Sequence, residues 1–193
     1  MQEARRLEQL FARRRVRAQS LTGLEATEEA FKALGADTVK SPDILHIATH
    51  GFFFPDPEKR RAGDSQDENA FKWNENPLLR SGLALAGANA EISHLNLSNT
   101  KLAVLSACQT GLGDIKGSEG VFGLQRAFKM AGVDYLLVSL WQVPDQATAD
   151  FMEAFYSAWL GGKTIHEAFA KAQKKMRKQY KSVYQWGAWV LVE

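Results

Sequence analysis

The sequence contains one cysteine, five prolines and no long hydrophobic run. A single cysteine cannot form a disulfide within the chain, and a chain without disulfides is typical of the reducing cytosol. No apolar stretch approaches the roughly 20 residues that a membrane-spanning helix needs, and the first residues lack the apolar core of a signal peptide. The net charge of +2 is too small to indicate a nucleic-acid or membrane partner. We therefore expect a cytoplasmic protein with neither partner.

The remaining composition is that of an ordinary globular domain. Hydrophobic residues make up 45% and charged residues 24% of the 193 residues, which fits one domain with a substantial core. Apolar runs predict strands near residues 44–50, 83–86, 102–105, 135–141 and 187–192, with a short edge strand around residues 16–21. Helical patterns lie between them. This alternation predicts an α/β fold whose mostly parallel central sheet has helices on both faces.

Capping signals indicate where two of the helices begin. Thr22-Gly-Leu-Glu25 matches a capping box before the helical pattern of residues 26–34, and Thr164-Ile-His-Glu167 matches another before a helix that runs to about Tyr180. The other helical patterns cover residues 1–13, 119–131 and about 147–160. Residues 55–76 have no periodicity, and irregular segments of that length in compact domains are typically functional or disordered. We expect a flexible loop there, beside the site.

Two apolar runs end close to reactive side chains. Leu102-Ala-Val-Leu leads to Cys108, and Ile44-Leu-His-Ile-Ala-Thr leads to His50. In an α/β domain, side chains at the carboxyl ends of strands are held rigidly and still reach a substrate. Because an imidazole can take the proton of a thiol, the pair predicts a cysteine nucleophile with a histidine base.

Gly51 adds a donor for the oxyanion of acyl transfer. Without a Cβ, its N–H can approach a substrate closely, and the N–H of Cys108 would be the second donor. We interpret His46 as a core histidine that is hydrogen-bonded to a neighbour; the alternative is that it orients the base. We predict no metal, because no third ligand cluster accompanies His46 and His50, and no cofactor, because the glycines of residues 111–117 lack the nucleotide-binding spacing.

Other interpretations of the cysteine stay open. Cys108 is either a nucleophile or a buried structural thiol, since free cysteine is among the most buried residue types. The domain is then a peptidase, a hydrolase of small amides or esters, or an interaction module that is catalytically silent or activated by a partner. The small residues around Cys108 and the long loop favour an extended peptide substrate.

Several motifs occur together in one known family. The runs His46-Ile-Ala-Thr-His50-Gly51, Leu105-Ser-Ala-Cys108-Gln-Thr-Gly111 and Ser139-Leu-Trp141-Gln-Val-Pro-Asp145 are similar to those of the CHAT domain. Over about residues 20–193 the chain resembles these caspase-like and separase-like cysteine peptidases, which are often attached to tetratricopeptide repeats. The resemblance implies a caspase-like three-layer sandwich, with His50 as general base and Cys108 as nucleophile. It also implies a protein or peptide substrate and a regulatory or tetratricopeptide-repeat segment as a partner.

The resemblance extends to specificity and to domain organisation. Separases share the Leu-Trp-x-Val-x-Asp pattern, which implies that Asp145 pairs with a basic residue before the cut and that Trp141 lines the same pocket. The alternatives are that Asp145 caps the helix after Pro144 and that Trp141 is a core residue. Lys59-Arg-Arg61 would then be a site of self-cleavage. Such domains usually begin with a further strand, so we expect residues 1–193 to be a single CHAT domain taken from a larger protein.

Overall fold

A four-stranded sheet lies at the centre of the described structure. The computed structural model describes residues 2–36, 40–53, 81–85, 88–89, 92, 95–106 and 125–193. The strands in this part are β1 (Ile44–Ile47), β2 (His50–Phe53), β3 (Ser81–Leu85), β4 (Ala88–Asn89), β5 (Leu102–Leu105), β6 (Tyr135–Ser139) and β7 (Trp189–Val192). The central sheet has the order β1-β5-β6-β7. Its first three strands are parallel and β7 is antiparallel, so the prediction of a mostly parallel sheet is confirmed.

β5 is buried on both of its faces. Successive side chains of a strand point to opposite sides of the sheet. Leu102 and Val104 accordingly pack in one apolar cluster, and Ala103 and Leu105 pack in another. All four are at most 2% exposed. A continuous apolar run is what a parallel strand with two covered faces requires.

The helices follow the predicted patterns with shifted ends. They are α1 (Gln2–Arg13), α2 (Glu28–Lys32), α3 (described for residues 125–130), α4 (Asp145–Trp159), α5 (Ile165–Gln179) and α6 (Val183–Trp186). The capping box at the start of α5 is confirmed, because Glu167 N donates to Thr164 Oγ1 at 3.2 Å and Thr164 N donates to the Glu167 carboxylate at 2.9 Å. The short helix α6 was not predicted.

Two predictions near the start of the chain are wrong. Thr22 makes no side-chain capping hydrogen bond, and only a single 3₁₀ turn (Gly23–Glu25) follows it. The helix begins instead at Glu28, after the N-cap residue Thr27, whose hydroxyl accepts from Ala30 N at 3.1 Å. The edge strand predicted for residues 16–21 is irregular and largely exposed chain. No neighbouring strand pairs with that segment in the described structure, and an unpaired strand has no ladder to stabilise it.

The strand predicted for residues 44–50 is also divided. β1 ends at Ile47, and His50 begins β2, which pairs antiparallel with β3 in a separate three-stranded sheet. Within that sheet His50 lies opposite Ala84. Because the strand breaks between them, the alternation of side chains along one strand does not relate the faces of His46 and His50. The pairing of β2 with β3 is a long-range contact that an apolar run cannot report.

Candidate active site

The carboxyl ends of three parallel strands meet at one edge of the central sheet. The register places Ile47 of β1 beside Leu105 of β5, and Leu105 beside Val138 of β6. Ser106 N then donates to Ile47 O at 3.0 Å, so the chain stays beside β1 one residue beyond β5. His50, Cys108 and Trp141 each come three residues after one member of this row. The crevice outside the carboxyl ends of parallel strands is where α/β domains bind ligands.

The predicted nucleophile falls outside the described part of the chain. Cys108, the loop predicted at residues 55–76 and the glycine-rich residues 111–117 all lie outside the described residues. His50 and Gly51 are described as the first two residues of β2, with Gly51 opposite Leu83. Their roles as base and oxyanion donor therefore stay predictions, as does that of Cys108.

Trp141 is fixed by a hydrogen bond at this edge. Its indole Nε1 donates to Tyr184 O at 2.8 Å, and the two rings lie 5.4 Å apart at an angle of 36°. The side chain is half-buried against the main core cluster. Its position is thus set by α6, and its contact with a substrate stays a prediction.

Asp145 is the exposed first residue of α4. Pro144 occupies the N-cap position and makes no side-chain capping bond. A carboxylate in the first turn is favoured by the partial positive charge of the helix N-terminus. Asp145 therefore follows the carboxyl end of β6 with its side chain open to solvent, and its pairing with a basic substrate residue stays a prediction.

His46 is held on both ring nitrogens, which confirms its interpretation as a hydrogen-bonded core histidine. Nδ1 lies 3.0 Å from Tyr156 Oη, and Nε2 lies 3.0 Å from Glu3 Oε1. The second oxygen of Glu3 accepts from Ser106 Oγ at 2.9 Å. Glu3 is only 9% exposed. Its carboxylate thus joins α1 to β1 and to the residue that follows β5.

Glu3 was not predicted as a functional residue, although its position in the α1 sequence indicates burial. Glu3, Leu7 and Leu10 are the buried residues of α1. Their spacing of four and three residues puts them on one helix face. A carboxylate on the buried face of an amphipathic helix is rare unless a partner satisfies it. That pattern indicates a buried polar contact.

Asp150 anchors α1 from a second position. Its Oδ1 accepts from Arg6 Nη1 at 2.7 Å and from Gln146 Nε2 at 2.9 Å, while Oδ2 accepts from Gln179 Nε2 at 2.7 Å and from Tyr180 Oη at 2.6 Å. Burial alone would raise the pKa of Asp150. The hydrogen bonds from Tyr180 and Arg6, with the charge of Arg6, outweigh burial and hold that pKa below its ordinary value. Burial and the same carboxylate raise the pKa of Tyr180 to about 12.

The described ranges lack both a cluster of metal ligands and a membrane-spanning helix. Among these residues no three His, Cys, Asp or Glu side chains are grouped so that they could hold a metal ion. Likewise, none of the helices described is both long and apolar enough to cross a membrane.

Comparison with known proteins gives the family. A model of the CHAT domain matches residues 1–193 and so includes α1. Tetratricopeptide repeat protein 28 of Mus musculus and that of Homo sapiens are each 33% identical over 138 residues, which is 70% of this chain and 5% of each relative. The chain thus corresponds to a small part of the length of those relatives. The resemblance found in the sequence motifs is confirmed over the whole chain, and the protein belongs to the CHAT domain family.

Proposed function

We propose that this CHAT domain is a cysteine endopeptidase in which Cys108 and His50 act as a dyad. The proposal depends on one observation, the row Ile47–Leu105–Val138 across three parallel strands. Since His50 follows Ile47 and Cys108 follows Leu105 by three residues each, this row supports a shared location of the two side chains beyond the strand ends. We also propose that helices cover both faces of the sheet in the caspase-like three-layer arrangement, which the two apolar clusters on either side of β5 support.

In the proposed reaction His50 removes the proton of the Cys108 thiol. The sulfur attacks the carbonyl carbon of the scissile peptide, and the N–H groups of Gly51 and Cys108 donate to the resulting oxyanion. The tetrahedral intermediate collapses to a thioester as the imidazolium protonates the leaving amine. His50 then deprotonates a water molecule, which attacks the thioester and releases the acid and the free thiol. No oxidant or cofactor is consumed.

We further propose that the cut follows a basic residue. Asp145 is exposed at the start of α4, just beyond the carboxyl end of β6. A carboxylate there binds a substrate guanidinium or ammonium group through charge-assisted hydrogen bonds. Trp141, fixed by Tyr184, would form an apolar wall for the aliphatic part of that side chain.

We propose a protein substrate and a tetratricopeptide-repeat segment as regulator. The support is that both relatives reported above are named as tetratricopeptide repeat proteins and are far longer than this chain. A catalytically silent interaction module of the same fold is the competing proposal, because neither relative's name states an activity.

Covalent labelling with a peptide acyloxymethyl ketone separates the two proposals. An active dyad expels the acyloxy group and leaves a thioether on Cys108, which increases the protein mass by that of the peptidyl ketone. We expect labelling of the wild-type chain and of a His166→Ala control, in which an exposed histidine of α5 is removed. We expect none for Cys108→Ala and strongly slowed labelling for His50→Ala. A wild-type chain that labels no faster than His50→Ala would contradict the peptidase proposal.

A further inference from the structure

Glu3 is a buried carboxylate whose partners belong to two strands. One oxygen faces His46 of β1 and the other accepts from Ser106, the residue after β5. Burying a carboxylate is costly unless hydrogen bonds compensate it. Here both oxygens have a partner, so the helix that carries Glu3 has one favourable position relative to these two strands.

The donors and acceptors of four side chains are arranged in series around Glu3. An ionised carboxylate only accepts, so His46 Nε2 donates to Glu3 and, in neutral imidazole, Nδ1 accepts. Tyr156 is fully buried, and burial together with the negative charge of Glu3 raises its pKa far above the ordinary value. Its hydroxyl therefore stays protonated and can donate to Nδ1 of a neutral imidazole. Tyr156, His46, Glu3 and Ser106 form one continuous series in which each hydrogen bond supports the next.

The series reaches the strands close to the proposed dyad. Ser106 precedes Cys108 by two residues, and His46 precedes His50 by four. His46 and Val104 are opposite each other in the β1–β5 register, and Ser106 N is bonded to Ile47 O. Any tilt of one strand end against the other must therefore lengthen a bond to Glu3.

We propose that Glu3 is a positioning residue for the Cys108–His50 pair. This rests on the proposed function and deepens it. The carboxylate of α1 holds the ends of β1 and β5 in the alignment that lets the imidazole reach the thiol. It acts through His46 and Ser106 and does not touch the substrate. The docked position of α1 is consequently part of the active arrangement of the domain.

α1 is also held by contacts that do not involve Glu3. Arg6 donates to Asp150 and Glu153, and Phe11 meets the ring of Tyr156 edge-on with 5.1 Å between centroids. Leu7 and Leu10 supply the buried apolar face. These contacts keep the helix docked when Glu3 alone is changed, so the positioning role can be measured apart from docking.

The test compares Glu3→Gln with Glu8→Gln, an exposed glutamate of the same helix. Glutamine is similar in size to glutamate, but its amide N–H₂ group faces one of the two donors and cannot accept a hydrogen bond from it. Peptide turnover is measured together with iodoacetamide alkylation at about pH 7 and about pH 10. Since Cys108 is the only cysteine, the ratio of the two alkylation rates reports its thiolate fraction at about pH 7 without background.

We expect Glu8→Gln to match the wild-type chain. For Glu3→Gln we expect kcat to fall roughly 10- to 100-fold with KM within about twofold, because small misplacements of reacting groups cost about that much. The ratio of the alkylation rate at about pH 7 to that at about pH 10 should fall together with kcat, as it should in His50→Ala. Ser106→Ala removes the hydrogen bond from the end of β5 to Glu3 and should give a smaller change in the same direction. The Ser106→Ala variant also tests the positioning role if Glu3→Gln fails to fold.

The two proposals fail differently. If His50→Ala leaves the alkylation ratio unchanged, the dyad itself is wrong. If His50→Ala lowers the ratio but folded Glu3→Gln and Ser106→Ala keep both the ratio and kcat of the wild-type chain, the dyad stands and the positioning role is overturned. An equal change of kcat and KM, with an unchanged ratio, also overturns it.

Discussion

Replacing Asp150 with alanine tests how α1 and the end of α5 are held on the domain. The substitution removes the acceptor of four hydrogen bonds, from Arg6, Gln146, Gln179 and Tyr180. Breaking a buried ion pair by removing one partner costs about 3–5 kcal/mol. Arg6 keeps Glu153 as a second carboxylate, so we expect the lower end, about 3 kcal/mol.

That loss is large enough to read from a melting curve. For a domain of this size each kcal/mol changes the melting temperature by about 2–4 °C, so Asp150→Ala should melt roughly 6–12 °C below the wild-type chain. Asp134→Ala, at an exposed position, is the matched control and should melt with the wild-type chain. An Asp150→Ala chain that melts within about 2 °C of the control would refute the reasoning.

The effect also has a defined pH dependence. The folded-state pKa of Asp150 is below its ordinary value, so its contribution is present above the unfolded pKa, near 3.9, and is lost as pH falls through the folded pKa. The stability difference between the wild-type chain and Asp150→Asn should therefore be constant from about pH 7 to pH 5 and shrink below about pH 4. A difference that stays constant over the acid range would contradict the assigned pKa direction.

Three further substitutions have matched controls in the same chain. Gly35→Ala should lower the free energy of unfolding in urea far more than Gly162→Ala. Both glycines have positive φ and share that backbone strain, but only at position 35 would an added Cβ lie 1.7 Å from a backbone atom, Asn96 O. Equal losses would contradict the close approach. Thr164→Ala should cost about 0.5–2 kcal/mol through the lost cap, whereas Thr22→Ala, whose hydroxyl caps nothing, should cost almost nothing; the reverse order would contradict the capping assignment. Asp145→Asn should reduce kcat/KM roughly 10-fold or more for peptides with arginine before the cut, since hydrogen bonds to charged groups contribute about 1.5–3 kcal/mol, and should leave peptides with leucine there unchanged. An equal loss for both peptides, or the same loss in Asp134→Asn, would end the specificity proposal.

Local signals predicted the features that depend on sequence neighbours. The capping box of Thr164 and Glu167 formed as expected, and the apolar runs of β5 and β6 became central strands. The same kind of signal failed at Thr22, because Thr27 is an equally suitable cap five residues later. A local pattern does not choose between two adequate caps, and tertiary packing decides.

Long-range contacts could not be predicted in this way. The partners of Glu3 lie 43 and 103 residues away, at His46 and Ser106. His50 leaves β1 because it pairs with Ala84 of β3. That pairing also joins residues far apart in the sequence, so a local pattern does not indicate it. The candidate site stays a prediction from motifs, since Cys108, His50 and Trp141 all follow apolar runs and the family motifs name them. The row of parallel strand ends that precedes the three residues needed the register.

The central claim is that a thiol and an imidazole at this sheet edge cut peptide bonds. The most direct measurement is a mass-spectrometric map of new peptide termini after a proteome-derived peptide library is incubated with wild-type, Cys108→Ala and His50→Ala chains. The account predicts new termini preceded by arginine or lysine with the wild-type chain and none with either variant. The same termini in the Cys108→Ala sample, or no new termini with a wild-type chain that is folded and α1-docked, would contradict it.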